Sequence, residues 1–550
     1  MNVKAYLLVV ALCTGSLLLH AQDTSKRKSI DITSTFKPVL REASKINFNA
    51  APPVVDTSKP RLTYKIPSQN LFFAYQPAEL KPVALSIDSL NPWQYSNFIK
   101  VGIGNVHLPY IKAGFSFGDG KSTNFNVFAE HYTSNGNLKY QKNSHTSVGA
   151  AATYLSAKQH EWNGRIGFVS NDYFLYGYRP DTLDLEKDQL KQKFQTIEGA
   201  IHFRNTIPTE FGLSWHPSLR VNVFTDNKAN KGSESNTVLD LPLEKTFGKL
   251  FAFNLGATAD LTSYQIKSSA KKSRQNNLYY ISPTLLLKTP NVYIHGGIRP
   301  SWDNKVFTML PNVMVDITTN DQRFTFQLGW IGYYNKGSYQ RFASINPWLA
   351  QPDSLFNTRV QERYAGFRGS VGDNFSYSAK VGFQQYRNMP LFVNDTIDGK
   401  TFLIQYEPKM EALQVHGEIE YTRGEKFSAF AGLNFNQFTK LEKEKKAWGL
   451  IPLELTAGVR WQLMKDLWLR ADLWAWDGPQ YRGKDGEAYK GETAFDFNAG
   501  AEFRITKNFN LWVQLNNIFN NKYERWHQYE VYGFNILGGI TYSFNQKSYK

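Results

Sequence analysis

The sequence predicts an all-β protein, a transmembrane antiparallel β-barrel of about 22 strands preceded by an extended proline-rich segment. Three observations predict it: side chains that alternate apolar and polar along much of the chain, an export signal at its start, and the lack of any later apolar run of helix-spanning length in a chain with 39 Phe, 30 Tyr and 13 Trp.

The alternation is clearest near the end. In a strand successive side chains point to opposite faces. Phe495, Phe497, Ala499, Ala501 and Phe503 therefore share one face, and Asp496, Asn498, Gly500 and Glu502 the other. Phe509, Leu511, Val513 and Leu515 repeat the pattern after "ITKN", which is short enough for a tight hairpin. The pattern alone leaves open whether the apolar face meets a protein core or lipid. Targeting and composition decide for lipid. Lys4, the apolar run Ala5 to Leu12 and Leu17 to Leu19 read as a secretory signal ending near Ala21. Cys13, the only cysteine, lies within it, which leaves the mature chain without disulfide or thiol chemistry. An exported, cysteine-free, aromatic-rich and alternating chain fits a β-barrel of the outer membrane of a Gram-negative-type bacterium.

The alternation recurs at roughly 20-residue spacing, as expected for a tilted membrane strand plus its connection. Leu467 to Ala475, Leu453 to Trp461, Leu413 to Tyr421, Phe375 to Phe383 and Phe324 to Trp330 each carry an apolar face on every second residue. Connections alternate too. Those at 118–121, 288–291, 372–374, 423–426, 464–466 and 506–508 are tight, and those at 171–193, 335–363 and 440–452 are long. Short periplasmic turns with long external loops are expected of such barrels, and an even strand number returns both ends to the periplasm.

The predicted organisation is a signal peptide at 1–21, a proline-rich periplasmic or lumen-filling segment at 22–94, a barrel at 95–544 and a tail at 545–550. The stretch from Gln22 to Trp93 has eight prolines and no glycine, which favours extended chain over a compact globule. "NLFFAYQP", with Phe72, Phe73 and Tyr75, is the part suited to pack inside a lumen that side chains alone cannot fill.

The closing run "LNNIFNNKYERWHQYEVYGFNILGGITYSF" resembles the end of TonB-dependent outer-membrane receptors, in which a penultimate strand running into Asn-Asn-x-Phe-Asn precedes a last strand ending in Phe. The resemblance implies a 22-stranded barrel. It implies assembly by the outer-membrane insertion machinery, with Tyr542 and Phe544 as the signal, and import of a scarce solute driven from the inner membrane. Two features depart from the family: "NQKSYK" follows Phe544, and the usual glycine-containing plug is missing or replaced. "SIDITST" resembles the family's energy-coupling motif, which would give Ser29, Ile30, Asp31, Ile32 and Thr33 a role in contacting a TonB-type transducer. A surface lipoprotein is a further possible partner. The alternative function is a plugless structural or assembly component of an outer-membrane complex.

No enzyme signature is present. "VGIGNVH" has His107 where a dinucleotide loop wants glycine, and it is read as lying between strands. "HEW" at His160 lacks a second histidine four residues on, so no metal site is indicated, and no cofactor is expected. The excess of 63 basic over 47 acidic residues suits lipopolysaccharide phosphates, outer-membrane lipids or anionic solutes, and no compact basic motif indicates nucleic acid.

Strand parity names the candidate lumen-facing residues. They are Trp468, Arg470, Asp472 and Trp474, with Glu454 and Arg460, then His416 and Glu418. Glu420, Trp476, Asp496 and Glu502 extend the set, with an interfacial girdle as the plainer place for Trp476; Tyr173, Phe174, Tyr176 and Tyr178 either form an outer rim or, as aromatics of a long loop, pack on one another. These wall charges either pair with one another across strands or orient a polar ligand between aromatic faces.

Overall fold

The computed structural model describes residues 97–545 apart from 120, 181, 229–230 and 268–271. The signal peptide, the proline-rich segment, Ser29 to Thr33 and all of the tail beyond residue 545 lie outside the described residues.

The described chain is a closed antiparallel barrel of 22 strands. A three-residue piece, Leu213–Trp215, continues the line of the strand Ser218–Asp226, since both pair with Lys231–Phe247. Each strand pairs with its neighbours in sequence, and the last, Asn535–Phe544, returns to the first, Asn97–Gly104, from Asn97↔Phe544 to Gly104↔Leu537. Closure removes the free edges that hydrocarbon could not satisfy.

The seam is built on glycine. Gly102 faces Gly539 across it. A Cβ on Gly539 would lie 1.9 Å from the Val101 carbonyl oxygen, and one on Gly102 would lie 2.5 Å from the Trp512 ring. The absence of side chains lets the Trp512 indole lie over the seam, with the Lys100 ammonium 4.0 Å from its ring centre. "VGIG", read as lying between strands, in fact ends the first strand: its glycines serve the close approach of two backbones.

Exposure follows parity. Val101, Ile540, Leu511 and Phe503 form one row across four strands, and all are exposed. Residues of the opposite parity, such as Lys100, Thr541, Asn510 and Trp512, are buried. Rows of this kind continue through Leu239, Leu241 and Leu243 and through Leu285 to Trp330. An apolar belt around the whole barrel far exceeds the patch of a few hundred Å² that a water-soluble surface tolerates, so its solvent is lipid.

The two ends differ. Every connection at the end holding both chain termini is short apart from 206–217, for example Gly372 to Asn374 with Gly372 at φ +60°. The other end holds the longest connections, 175–190, 336–357, 440–452, 477–493 and 517–534. Some there are short too, among them residues 105–106 and Asn304–Lys305, the latter a hairpin with both φ angles positive (48° and 78°), which matches strand twist. Phe375–Asn394 and Phe402–Arg423, with 20 and 22 residues, exceed the membrane-spanning need of about 10 and project at the loop end.

On the outer face of the last strand Tyr542 packs on Phe509 at 4.8 Å and on Phe544 at 5.3 Å between ring centres. Tyr542→Ser with Phe544→Ser removes this aromatic cluster at the closing seam. Heat-modifiable, membrane-extracted protein is expected to fall sharply, and unchanged yield would contradict a role for this strand in assembly.

Candidate functional site

Five consecutive strands, Phe402–Arg423, Phe427–Thr439, Leu453–Met464, Leu467–Trp476 and Ala494–Arg504, bring the sequence-predicted wall residues onto one inward sector. Register sets them in rows. His416, Asn434, Glu454 and Trp476 lie side by side, and Glu418, Gly432, Thr456, Trp474 and Asp496 form the next row. Asp472 opposes Gly458, and Arg460 opposes Arg470. Trp468, six residues from Trp474, lies about 20 Å away at 3.3 Å per residue. Glu454 and Trp474 thus sit towards the loop end and Trp468 towards the turn end, so the named residues line a path and do not converge on one point.

Within this sector the Trp474 Nε1 donates to Glu454 Oε1 at 2.7 Å, His416 Nδ1 lies 2.7 Å from Asn434 Oδ1, and the Tyr523 hydroxyl donates to Asp496 at 2.8 Å. Elsewhere the inward charges form cross-strand ion pairs: Lys112–Glu130 at 3.0 Å, Arg165–Glu198 at 2.9 Å, Arg368–Asp316 at 3.2 Å and Lys380–Glu362 at 2.6 Å. Much of the wall therefore satisfies itself. In the five-strand sector Glu454 Oε2, Asp496 Oδ1 and the indole nitrogens of Trp468 and Trp476 are buried with no protein partner.

Sequence reasoning missed what lies above the wall. The loop-end connections fold over the mouth and pack on one another, forming the largest group of buried apolar residues. The connection 336–357 carries a short helix, Tyr339–Ile345, capped by Ser338, whose side chain accepts from Arg341 N. Glu234, from the strand Lys231–Phe247 five positions round the barrel, takes the first helical N–H groups, Tyr339 N at 2.6 Å and Gln340 N at 3.3 Å. The Tyr339 hydroxyl donates to Asp226 at 2.5 Å. The helix buries Tyr339, Phe342 and Ala343 against Phe194, Phe224 and Tyr264. Lys228 also reaches this connection, donating to the Leu349 carbonyl at 2.8 Å; burial pushes its pKa down to about 8, against the pull of Asp226.

Trp348 then stacks on Tyr529 of the connection 517–534 at 3.9 Å, and Tyr176 of the connection 175–190 meets the same ring edge-on at 4.9 Å. Arg179 N donates to the Asp398 carbonyl at 2.9 Å. Those two residues belong to connections ten strands apart in a barrel of 22, close to a full diameter. Lys484 ties the same pair, donating to Ile397 O at 2.9 Å and Arg179 O at 3.4 Å. Arg525, next to the stack, donates to Gly449 O at 3.1 Å, while its Nε and Nη1 are buried without a partner. Burial lowers its pKa, opposed by the charge of Glu454.

One sequence assignment changes here and one open alternative is decided. Trp476 is 2% exposed under the folded loops, in contact with Trp474 and Tyr523, and is not part of a membrane girdle. Phe174 and Tyr178 are buried and Tyr176 packs inward, so the reading in which these loop aromatics pack on one another holds and the open rim does not. The same aromatic signal in "NPWLAQ" and "YERWHQYE" extends this packing to the connections 336–357 and 517–534, which sequence reasoning missed.

No protein-family model matches the chain, and no curated protein matches it in sequence. Solved structures do. The FrpB iron transporter of Neisseria meningitidis matches with a TM-score of 0.65 at 9% identity, over 83% of this chain and 82% of that one. The ferric enterobactin receptor PfeA of Pseudomonas aeruginosa matches with 0.63 at 10% identity, over 82% and 81%. The ferric-catecholate import receptor Fiu of E. coli K12 matches with 0.62 at 11% identity, over 82% of each. With its closed 22-strand barrel and continuous outward apolar belt, the described chain has the barrel fold of the TonB-dependent outer-membrane receptors.

Proposed function

We propose that this protein is an outer-membrane receptor that takes part in the uptake of a scarce polar solute, with the loop end facing outward and the five-strand sector forming the contact wall. The observation that carries the reading is the sector itself. His416, Glu454, Trp474 and Asp496 sit on four of five consecutive strands inside the lumen, and buried carboxylate and indole atoms there lack protein hydrogen-bond partners. Such groups either hold water or await a ligand's hydroxyl, amine or carbonyl. The similar structures include proteins named for iron transport and siderophore reception, which supports import and makes iron limitation the first condition to test.

In this reading Ser29 to Thr33 contact a TonB-type transducer and the segment 22–94 works from the periplasmic side. A surface lipoprotein is a candidate partner at the loop end. The reaction is transfer across a membrane, with no chemical conversion of the solute.

The test is growth of a deletion strain in a series of media, each limiting for one nutrient, iron first. A defect in one medium is expected, restored by the wild-type gene but not by Glu454→Ala/Trp474→Ala produced at equal membrane level. A strain that grows normally in every medium yet leaks large antibiotics would point away from uptake.

A further inference from the structure

Three cations stand side by side on the outer wall, just above the lipid belt. Arg359 opposes Arg387, and Arg387 opposes Lys409, on the neighbouring strands Thr358–Val371, Phe375–Asn394 and Phe402–Arg423. We propose that this row binds the phosphate groups of a lipopolysaccharide molecule in the outer leaflet, whose acyl chains lie on the apolar rows below. The proposal rests on the reading that the loop end faces outward.

Register fixes where the row points and how high it sits. Val360, Tyr386 and Met410, one residue further along each strand, form a row buried in the core, so by alternation the cations face away from the lumen. Arg387 and Lys409 are exposed, and Arg359 is half-buried. On these strands the outward apolar residues run from Phe375 to Phe383 and from Tyr421 to Leu413, and both series stop at one level, since Phe383 opposes Leu413. Gln385 and Glu411 form the next outward row, and Arg387 and Lys409 the one after, about 13 Å along the strand from Phe383 at 3.3 Å per residue. That is the headgroup level of the leaflet at the loop end. Arg363 lies lower, level with Phe383, its guanidinium 5.4 Å from the outward Trp330 ring, where it offers a further donor at the edge of the belt.

The charges of this row are left for an outside partner. Like charges directly opposite on adjacent strands repel, yet none of the three cations has an ion pair among the described residues. The carboxylates nearby are taken: Glu411 holds Lys440 at 2.6 Å and accepts from Gln385, and Glu407 accepts the main-chain N–H groups of Glu442, Lys443 and Glu444. At the loop end of two other strands the outer wall balances itself, with Asp172 3.3 Å from Lys191 and 3.9 Å from Lys193. Guanidinium and ammonium groups spaced across three strands suit phosphate oxygens. The apolar surface directly beneath them favours a phosphate carried by acyl chains over a free one.

The test titrates the full-length protein, purified in neutral detergent and freed of lipid, with bisphosphorylated lipid A, dephosphorylated lipid A and inorganic phosphate, and reads bound lipid by native mass spectrometry. Bisphosphorylated lipid A is expected to bind at least about tenfold more tightly than either of the others, the difference made by about one charge-assisted contact. Arg387→Gln/Lys409→Gln should lose that margin, while Lys191→Gln/Lys193→Gln keeps it, both remaining heat-modifiable. Equal binding by the wild type and Arg387→Gln/Lys409→Gln overturns the site, as does an equal loss in both double variants. Inorganic phosphate bound as tightly as lipid A would mean a free-ion site and also overturns it. Orientation is read separately from Ile397→Cys, 84% exposed in the connection between the two longest of these strands, with a membrane-impermeant maleimide on intact cells. Cys13, the only native cysteine, lies in the segment read as the signal. Reaction at 397 is expected; an unreactive thiol there would refute the outward loop end, and with it the leaflet assigned here, whatever the binding shows.

Discussion

Leu469→Arg or Leu511→Arg is expected to block stable membrane insertion, at a cost of about 2–4 kcal/mol if the site lies near the bilayer midplane. Both leucines face outward: Leu469 opposes Ala501, and Leu511 lies between Phe503 and Ile540 in an exposed apolar row. A guanidinium there must either desolvate in hydrocarbon or snorkel several residues to the interface. Gln514→Arg, one parity step away and inward-facing, should insert as the wild type does. Trp468→Arg is a poorer control than parity alone suggests, because the Arg504 guanidinium already lies 4.8 Å from that ring. Heat-modifiable protein in the outer-membrane fraction decides the matter. Equal tolerance of Leu511→Arg and Gln514→Arg would mean that this face does not meet lipid.

Tyr339→Ala should release the connection 336–357 from the cap while sparing the barrel. Tyr339 is fully buried, its ring lies against Phe194, Phe224 and Tyr264, and its hydroxyl is held by Asp226. Truncating a buried aromatic of this kind costs about 3–5 kcal/mol. It also strips the Asp226 carboxylate, buried within the cap, of its shortest donor, leaving Gln351 Nε2 at 3.0 Å. The loss falls on one connection, so local opening of 336–357 is the expected consequence, with global unfolding spared. Limited trypsin treatment of the folded protein should then cut at Lys336 or Arg341, where the wild type resists, while heat-modifiability persists. Tyr339→Phe, which keeps the ring and loses only the hydroxyl, should fall between the two. Resistance equal to wild type in Tyr339→Ala would show that Glu234 and the surrounding rings hold the helix unaided.

How far the sequence reaches can be seen at Trp474 and Trp476. The face of each side chain was legible because a strand has a period of two, a local property that needs no partner: even residues of 467–476 go inward and odd ones outward. Tight connections were legible for the same reason, since turn residues act within a few bonds. The grouping of His416, Asn434, Glu454 and Trp476 in one row was not, because register between strands is set by pairings tens of residues apart.

The cap was beyond reach for a stronger reason. Parity places Trp476 inward near the loop end, where the bilayer interface is the expected surrounding for tryptophan; the folding of a connection some 50 residues later brings Tyr523 over it and buries it. Tyr176, Trp348 and Tyr529 meet only because the barrel closes and sets three distant connections around one mouth. The sequence by itself determined the strands, their faces and the lipid-facing belt, all consequences of local backbone geometry. Only the tertiary structure decided which inward residues are neighbours and that the mouth is spanned, because loop-on-loop packing depends on a closed circumference that no single segment encodes.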